Sequence, residues 1–400
     1  MSVSLSSLPE EGTRTELCPH FGLCGGCRFQ DVPYPEQVRL KVERVSGLLD
    51  AAGVRVELKV NPSPEAWFYR NKMEFAFGDV FPPVEGGPTV KLGLKERGRW
   101  HSVVDLRECR LLSPEAGPLL IRLREWAERE KVAPYNSHKH NGLLRHLILR
   151  EAKNEPQRMA VLVTAPGELP RESLLRALEP YPVTTVLRGL NAKVADTALA
   201  DSLEVWTGEG SILETLRFPG RDLKFRISPY SFFQTNTRGA EVLYGIIRRW
   251  LASERPATAL DLYCGGGGIA LSIADLCGSV LGVETNPAAI ADAKVNAALN
   301  GISNAEFRGM AVEAGLTAML AADPDAAVVD PPRAGLHSKA AEALCLRPPR
   351  TLVYVSCNPE ALARDIKTLS ISYDIERGEV VDLFPHTEHV ETVVLLRRRN

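Results

Sequence analysis

The stretch ALDLYCGGGGIALSIA (residues 259–274) decides the fold of this 400-residue chain. An apolar run typical of a buried strand leads into four glycines, and a helical pattern follows them. Glycines let the backbone approach a ligand closely. Glu284 ends the next apolar run, 19 residues after Gly265, where an acidic side chain can bond the ribose hydroxyls of a nucleotide. The stretch predicts a site for NAD or S-adenosylmethionine, with a ligand-free glycine turn as the alternative, and it lacks the ending of a P-loop.

Strands and helices alternate from about residue 228 to the C-terminus. The predicted strands are TALDLYC, SVLGVE, AEFRG, AAVVD, TLVYVS and VETVVLL. This alternation predicts an α/β fold, a mostly parallel, doubly wound, Rossmann-like sheet with helices on both faces. Ligands of such sheets bind at the carboxyl ends of the strands, so motifs at those ends are candidates for chemistry.

The chain before residue 228 has a different pattern. Residues 59–227 contain short alternating runs broken by Gly, Pro and Asn, which predict a β-rich central α+β domain. Residues 32–58 have apolar positions at helical spacing, which predict a helix that ends near Gly53 and packs on the C-terminal domain of residues 228–400. Residues 1–31 are predicted to form a loose tail followed by a cysteine-rich knuckle.

The composition is that of an ordinary globular protein, with 44% hydrophobic and 24% charged residues. No run of 18 apolar residues is present and the polar N-terminus does not resemble a signal peptide, so we expect a cytoplasmic monomer without a membrane partner. The net charge of −2 gives no global sign of nucleic-acid binding. Residues 91–110 nevertheless hold six Lys and Arg against three Asp and Glu, which fits either a solvated surface or a nucleic-acid contact.

Two motifs end predicted strands with reactive side chains. Asp330 opens DPPRAG, where two prolines stiffen the loop and aim the carboxylate at the cleft. Cys357 follows TLVYVS and precedes Asn358 and Pro359, a good N-cap and a good first helical residue. A thiol at the positive end of a helix is expected to have a lowered pKa, which favours a nucleophile over an inert buried cysteine.

The last motif, VDLFPHTEHVE (381–391), places Glu391 at the start of a predicted strand. A carboxylate among apolar residues is costly unless it has a role, and near a nucleophilic cysteine it suits a general base. His386, His389 and Glu391 form too loose a set to favour a metal site.

Taken together, these motifs closely resemble the RNA (uracil-5-)methyltransferases over nearly the whole chain. DPPRAG, LVYVSCNPEA and VDLFPHTEHVE carry the resemblance, with SFFQTN (231–236) and DLYCGGGG. The resemblance implies transfer of a methyl group from S-adenosylmethionine to C5 of an unstacked uridine in RNA. It assigns the nucleophile that adds to C6 to Cys357 and the base to Glu391, and it places four residues at the cofactor and target pocket: Gln234, Tyr263, Glu284 and Asp330.

Three positions depart from the family pattern. Gly268 stands where some members carry an Asn that touches the cofactor, and Ala361 stands where many carry Thr. Met310 lies near where an acidic residue often contacts adenine, so we assign no adenine ligand.

Four cysteines in the first third of the chain form a candidate metal site: Cys18, Cys24, Cys27 and Cys109. Their spacing fits zinc or an iron–sulfur cluster equally. The resemblance implies [4Fe-4S], because iron–sulfur members share CGGC and the following Gln30. It also implies 23S rRNA as the substrate, with uridine-54 of tRNA as the alternative. Residues 135–151 fit either an RNA contact from the central domain or an ordinary strand with a solvated basic edge.

Two functions of other classes stay open on the sequence alone. Asp-Pro-Pro also serves methyltransferases that act on exocyclic amines, and such an enzyme would need neither Cys357 nor Glu391. A non-catalytic RNA-binding iron–sulfur protein would bind RNA without transferring methyl groups.

Overall fold

The computed structural model describes residues 17–82, 85, 87–137 and 139–399. The predicted loose tail therefore lies almost entirely outside the described residues. No helix in these described ranges is long and apolar enough to cross a membrane.

Two sheets contain most of the strands. The strands are β1 (Leu58–Asn61), β2 (Lys72–Asp79), β3 (Val90–Glu96), β4 (Arg99–Asp105), β5 (Leu144–Glu151), β6 (Arg158–Thr164), β7 (Thr185–Leu190), β8 (Ser202–Thr207), β9 (Ile212–Phe218), β10 (Arg221–Ile227), β11 (Thr258–Leu262), β12 (Ser279–Glu284), β13 (Ala305–Gly309), β14 (Ala326–Val329), β15 (Thr351–Ser356), β16 (Tyr373–Val381) and β17 (Glu391–Arg398). The helices are α1 (Tyr34–Ala51), α2 (Ala116–Arg129), α3 (Arg171–Leu178), α4 (Thr237–Ala252), α5 (Gly268–Ile273), α6 (Pro287–Leu299), α7 (Val312–Leu320), α8 (Ser338–Leu346) and α9 (Pro359–Leu369), with one 3-10 turn at Ala274–Leu276.

The C-terminal sheet has eight strands in the order β1-β16-β17-β15-β14-β11-β12-β13. All neighbouring pairs are parallel except those that β17 makes with β15 and β16. The central strands β14 and β15 are buried along their whole length because helices cover both faces, and two apolar cores lie on opposite sides of the sheet. The expected mostly parallel α/β sheet is confirmed.

All six strands predicted in this sheet are present, and two others were missed. β16 was missed because YDIERGEVV mixes charges and glycine with few apolar residues. β1 lies next to it although more than 300 residues separate them, so residues 59–61, which were expected to begin the central domain, belong to the C-terminal sheet.

The β-rich part contains a seven-stranded sheet in the order β4-β3-β2-β5-β6-β7-β8. Helices α2 and α3 pack together beside it over a core that includes the fully buried Trp126. The hairpin of β9 and β10 stands apart from both sheets and packs on α4 and α6. β4 and β9 were not predicted as strands.

Helix α1 lies against α9 and joins the N-terminal segment to the C-terminal sheet. Its predicted apolar stripe, which includes Val38, Val42 and Val45, is buried, and the chain turns at Gly53 with a positive φ of 80° as expected. Lys41 is also buried and forms an ion pair with Asp382 at 2.8 Å. A charge in an otherwise apolar stripe is stable only with such a partner.

Candidate active site

The glycine loop between β11 and α5 bends through left-handed backbone conformations. Tyr263 has a φ of 68°, and Gly265 and Gly267 have φ values of 51° and 84°. A tyrosine rarely adopts this conformation, and such strain concentrates where a backbone must meet a ligand. The loop borders a cavity whose walls include Phe232, Tyr244, Tyr263, Gly265, Asn296 and Asp330.

Two carboxylates brace this loop from below. Glu284, at the end of β12, accepts hydrogen bonds from the amide of Gly265 at 3.3 Å and from that of Asn286 at 2.8 Å. Asp261 is fully buried in β11 and accepts a hydrogen bond from the amide of Ala270 in α5 at 2.8 Å. Burial raises the pKa of Asp261 to about 7. Sequence reasoning missed Asp261, although a carboxylate within an apolar strand was a visible signal.

Gln234 is buried behind the cavity and is not among the residues that border it. Its side chain hydrogen-bonds the hydroxyl of Tyr244, and its backbone carbonyl accepts a bond from Asn71 at 2.8 Å. A side chain at Gly268 would meet that Tyr244 hydroxyl, 2.7 Å from the position of its first carbon. The glycine at this departure from the family pattern therefore makes room for Tyr244.

Asp330, Cys357 and Glu391 meet at one edge of the sheet. Val329 pairs with Tyr354, so Asp330 and Cys357 leave neighbouring parallel strands at the same end. Ser356 pairs with Thr392 in the adjacent antiparallel strand, and the same register sets Cys357 opposite Glu391. The structure thus brings together three side chains from segments far apart in sequence.

The three groups influence one another electrostatically. Burial raises the pKa of Glu391 well above its ordinary value, and the charge of Asp330 raises it further. Burial also raises the pKa of Asp330, to about 7. The pKa of the Cys357 thiol is raised to about 11, mainly by burial and then by the charges of Glu391 and Asp330. The expected lowering of the Cys357 pKa by the helix N-terminus is wrong, because these effects outweigh it.

The turn that carries Cys357 is held by local hydrogen bonds. Asn358 is the N-cap of α9, as predicted, and its side chain accepts a bond from the amide of Glu360 at 3.1 Å. The side-chain amide of Asn358 donates to the carbonyl of Arg333 at 2.8 Å, which ties the Cys357 turn to the DPPRAG loop. This contact sets Arg333 beside the three reactive groups.

Arg333 is the one cation that lowers the pKa of both Cys357 and Glu391 in the described part of the site. It borders the cavity of about 470 Å³ that contains Cys357, together with Arg44 and His389. Sequence reasoning missed Arg333, although it follows Asp330 in the same motif.

Replacing Arg333 with Ala is expected to raise the pKa of the Cys357 thiol further, because a positive charge that favours the thiolate is lost. Alkylation of Cys357 by iodoacetamide, followed by mass spectrometry between pH 7 and 10, should slow severalfold at each pH, and its pH profile should move to higher values. Arg44→Ala removes a cation from the same cavity that is already paired with Glu360 at 2.7 Å, so its profile should stay close to that of the wild type. An unchanged profile for Arg333→Ala would contradict this role.

The loop before Glu391 is fastened to the N-terminal segment through His386. The amides of Arg28 and Phe29 donate to the carbonyl of His386 at 2.7 and 3.1 Å, and Gln37 accepts a bond from its amide at 2.8 Å. The His386 ring stacks on Trp67 with centroids 3.6 Å apart, and Gln37 lies 3.1 Å from its Nδ1. His386 thus anchors the loop that leads to Glu391. Across the described residues, no three His, Cys, Asp or Glu side chains are arranged to hold a single metal ion.

The four N-terminal cysteines line one cavity, although Cys109 is 82 residues from Cys27. The charges of Cys18, Cys27 and Cys109 each raise the pKa of Cys24, which shows that the four sulfurs lie near one another. Gln30 accepts a hydrogen bond from the amide of Cys18 at 3.0 Å. A pocket lined by four thiols suits one of the groups that thiolates bind, a zinc ion or an iron–sulfur cluster.

A groove of about 1,860 Å³ runs from this knuckle to the catalytic edge. Basic side chains from several elements border it: Arg28, Arg70, Lys72, Lys95 and Arg333. The wall also includes Glu74, Asp196 and Glu388, so cations predominate. Among the described residues of the range 135–151, which leave out residue 138, only His146 borders this groove. Sequence reasoning missed the groove because its residues come from distant segments.

The doubly wound sheet, the glycine loop braced by Glu284 and the cavity beside this loop form a Rossmann-like cofactor site, and the family match makes it the site of a class I, S-adenosylmethionine-dependent methyltransferase. The family described as tRNA (Uracil-5-)-methyltransferase matches residues 186–399, and the chain belongs to this family of RNA uracil-5-methyltransferases.

Similar proteins cover nearly the whole chain. An RNA methyltransferase of Clostridium tetani, described as uncharacterized, is 35% identical over 391 residues, which are 96% of this chain and 84% of that protein. A protein of Chlorobaculum tepidum with the same description is 36% identical over 406 residues. The match covers 96% of this chain and 83% of that protein. The structure of Pyrococcus abyssi tRNA (uracil-54, C5)-methyltransferase with S-adenosyl-L-homocysteine has a TM-score of 0.76 at 32% identity and covers 94% of this chain and 86% of that one. The protein is therefore an RNA uracil-5-methyltransferase that uses S-adenosylmethionine.

Proposed function

We propose that this enzyme methylates C5 of a uridine through a covalent bond between Cys357 Sγ and C6, with Glu391 as the base. The observation that carries the proposal is the register that sets Cys357 opposite Glu391, beside Asp330 and the cofactor cavity. An amino-methyltransferase needs neither a thiol nor a second carboxylate at this edge.

The chemistry explains why both groups are needed. C5 of uracil is a weak nucleophile until a thiolate adds to C6, which moves an electron pair onto the C4 oxygen and makes C5 an enolate carbon. S-adenosylmethionine supplies the methyl group that C5 then takes. The Glu391 carboxylate removes the C5 proton, the C5–C6 double bond re-forms, and the bond from C6 to Cys357 Sγ breaks with its electron pair returning to sulfur.

The remaining residues prepare this step. Arg333 favours the thiolate of Cys357, and its charge also favours the carboxylate form of Glu391. Gln234, Tyr263, Glu284 and Asp330 are proposed to shape the cofactor and target pocket. The uridine must leave its stack to reach Cys357, which is half-buried, so we propose a single-stranded or flipped target.

The basic groove is proposed to guide the RNA to Cys357. It begins at the cysteine knuckle and ends at Arg333 and His389, and its cations suit a phosphate backbone. Lys72 and Arg70 lie midway, on the side of the β-rich sheet.

The proposed target is 23S rRNA, which rests on the likeness to the shorter iron–sulfur members of the family. Uridine-54 of tRNA is the second candidate, favoured by the likeness to the Pyrococcus abyssi enzyme. Incubation with methyl-labelled S-adenosylmethionine and either purified 23S rRNA or tRNA, followed by digestion to nucleosides, tests both. Labelled 5-methyluridine from rRNA supports the first candidate, and the same nucleoside from tRNA alone supports the second. A labelled exocyclic-amine product would reject the proposed function.

We infer further that Cys18, Cys24, Cys27 and Cys109 hold a [4Fe-4S] cluster with a structural or RNA-orienting role, since methyl transfer needs no redox step. The four residues fit such a group because they line one cavity with Gln30 at its side. Their knuckle also contacts the catalytic loop through the amides of Arg28 and Phe29.

Protein purified without oxygen is expected to contain about four iron and four acid-labile sulfide per chain. Cys24→Ser should lose most of this content and its visible absorbance. Cys345→Ser, which changes a cysteine on α8 far from the knuckle, should keep both. One zinc per chain with no sulfide would contradict the cluster.

A further inference from the structure

The turn between β3 and β4 presents an exposed aromatic side chain among basic ones. Trp100 is 72% exposed, whereas Trp126, Trp206 and Trp250 are buried and Trp67 stacks on His386. The seven residues KERGRWH (95–101) contain three Lys or Arg and a single acid. Of these, Arg97, Arg99, Trp100 and His101 are exposed.

Protection of a sheet edge does not explain this arrangement. β4 is an edge strand, and charged side chains on an edge discourage pairing with other chains. An exposed indole has the opposite effect, because it adds apolar surface to the open edge. A binding role accounts for both the charges and the indole.

The hairpin is fixed at the outer end of the basic groove. The amide of Gly25 donates to the carbonyl of Lys95 at 3.0 Å, and that of Arg97 donates to the carbonyl of Leu23 at 2.8 Å. Lys95 and Leu94 border the groove that leads to Arg333. The surface of Arg97, Arg99, Trp100 and His101, called here the hairpin surface, therefore follows the groove residue Lys95 directly in the chain and lies next to the cysteine knuckle.

We propose that the hairpin surface binds a single-stranded part of the RNA substrate outside the catalytic cleft, with an unpaired base stacked on Trp100. Arg97 and Arg99 contact the flanking phosphates. Bases stack on exposed aromatic rings in sequence-tolerant RNA binding, and arginines beside the ring neutralise the backbone. This inference rests on the proposed function in one respect, that RNA is the substrate.

Steady-state methylation of RNA tests the proposal. Trp100→Ala is expected to raise KM for RNA about 5- to 100-fold, the loss that removal of one stacked base produces, with kcat unchanged. Trp100→Phe keeps a stacking ring and should stay within about 3-fold of the wild type. Phe81→Ala is the matched control, because Phe81 is 85% exposed in the connection after β2 and has no Lys or Arg among its sequence neighbours from Asp79 to Pro82, and the KM of this variant should not change.

A direct contact is measured by fluorescence. Iodide should quench the emission of Trp100, and saturating RNA should protect it, whereas Trp100→Phe should lose this quenchable component. An unchanged KM for Trp100→Ala together with no RNA protection of Trp100 would overturn the proposal, and would leave the face to another partner such as a protein. The proposed function fails by a different result, the absence of 5-methyluridine from wild-type reactions.

Discussion

Replacing Cys357 with Ala abolishes methylation, with an expected fall in kcat of at least about 10⁴-fold, because no other group can add to C6. RNA affinity should change little, since the groove keeps its cations. The amino-methyltransferase reading predicts the reverse, an active Cys357→Ala enzyme. The measurement is transfer of labelled methyl groups to RNA under single-turnover conditions.

A trapped complex gives a second readout for the same residue. In RNA with 5-fluorouridine at the target, the fluorine cannot leave as a proton does, so wild-type enzyme should form an adduct stable to denaturing gels. Cys357→Ala should form none, and Cys345→Ala, a matched change outside the site, should behave as wild type. Adduct formation by Cys357→Ala would assign the nucleophile to another residue.

Local sequence patterns predicted the strands, loops and helix ends that are determined by residues close to one another in the sequence. The glycine loop after β11, the strand that ends at Cys357 and the cap at Asn358 all depend on neighbours within a few residues. Such patterns fix where a strand ends and a helix begins, and in a parallel sheet those ends share one edge. The sequence was therefore enough to predict that Asp330, Cys357 and Glu391 lie close together.

Features that depend on distant charges were not predictable in the same way. The pKa of Cys357 is raised by burial and by the charges of Glu391 and Asp330, which outweigh the lowering by Arg333 and the helix N-terminus, and these charges come from two other segments of the chain. The pairing of β1 with β16 depends equally on residues that are remote in the sequence. A pattern of residues within one short segment carries no information about partners that lie in another segment.

The knuckle and Glu391, the proposed base, are also joined in a way that sequence alone does not show. The carbonyl of His386 accepts two amide hydrogen bonds from the knuckle, and only four residues separate His386 from Glu391. Gln37 and Trp67 hold the same loop from α1 and from the segment before β2. The cysteine site and the candidate active site are therefore joined through the same loop, which gives the proposed cluster a structural role that needs no redox chemistry.

Glu391→Gln is expected to stop turnover after the methyl transfer. Glutamine keeps the shape of the side chain but cannot take the C5 proton, so kcat should fall at least about 10³-fold while the bond from Cys357 to C6 persists. The charge of Glu391 raises the pKa of Cys357, so its removal lowers that pKa and leaves thiolate addition at least as favourable. A labelled protein–RNA adduct that carries the new methyl group should accumulate on denaturing gels.

Two comparisons make this result specific. The double variant Glu391→Gln, Cys357→Ala should form no adduct, and Glu379→Gln, a change of another buried carboxylate in the same sheet, should turn over without trapping. The melting temperature tests whether the variant is folded. A carboxyl group whose pKa is raised on folding destabilises the folded protein as the pH rises above the ordinary pKa of that group. Glu391→Gln should therefore melt at no lower a temperature than the wild type at pH 8. Because a misfolded variant would melt earlier and trap nothing, accumulation of adduct in a stable protein identifies Glu391 as the base, and unimpaired turnover would remove it from that role.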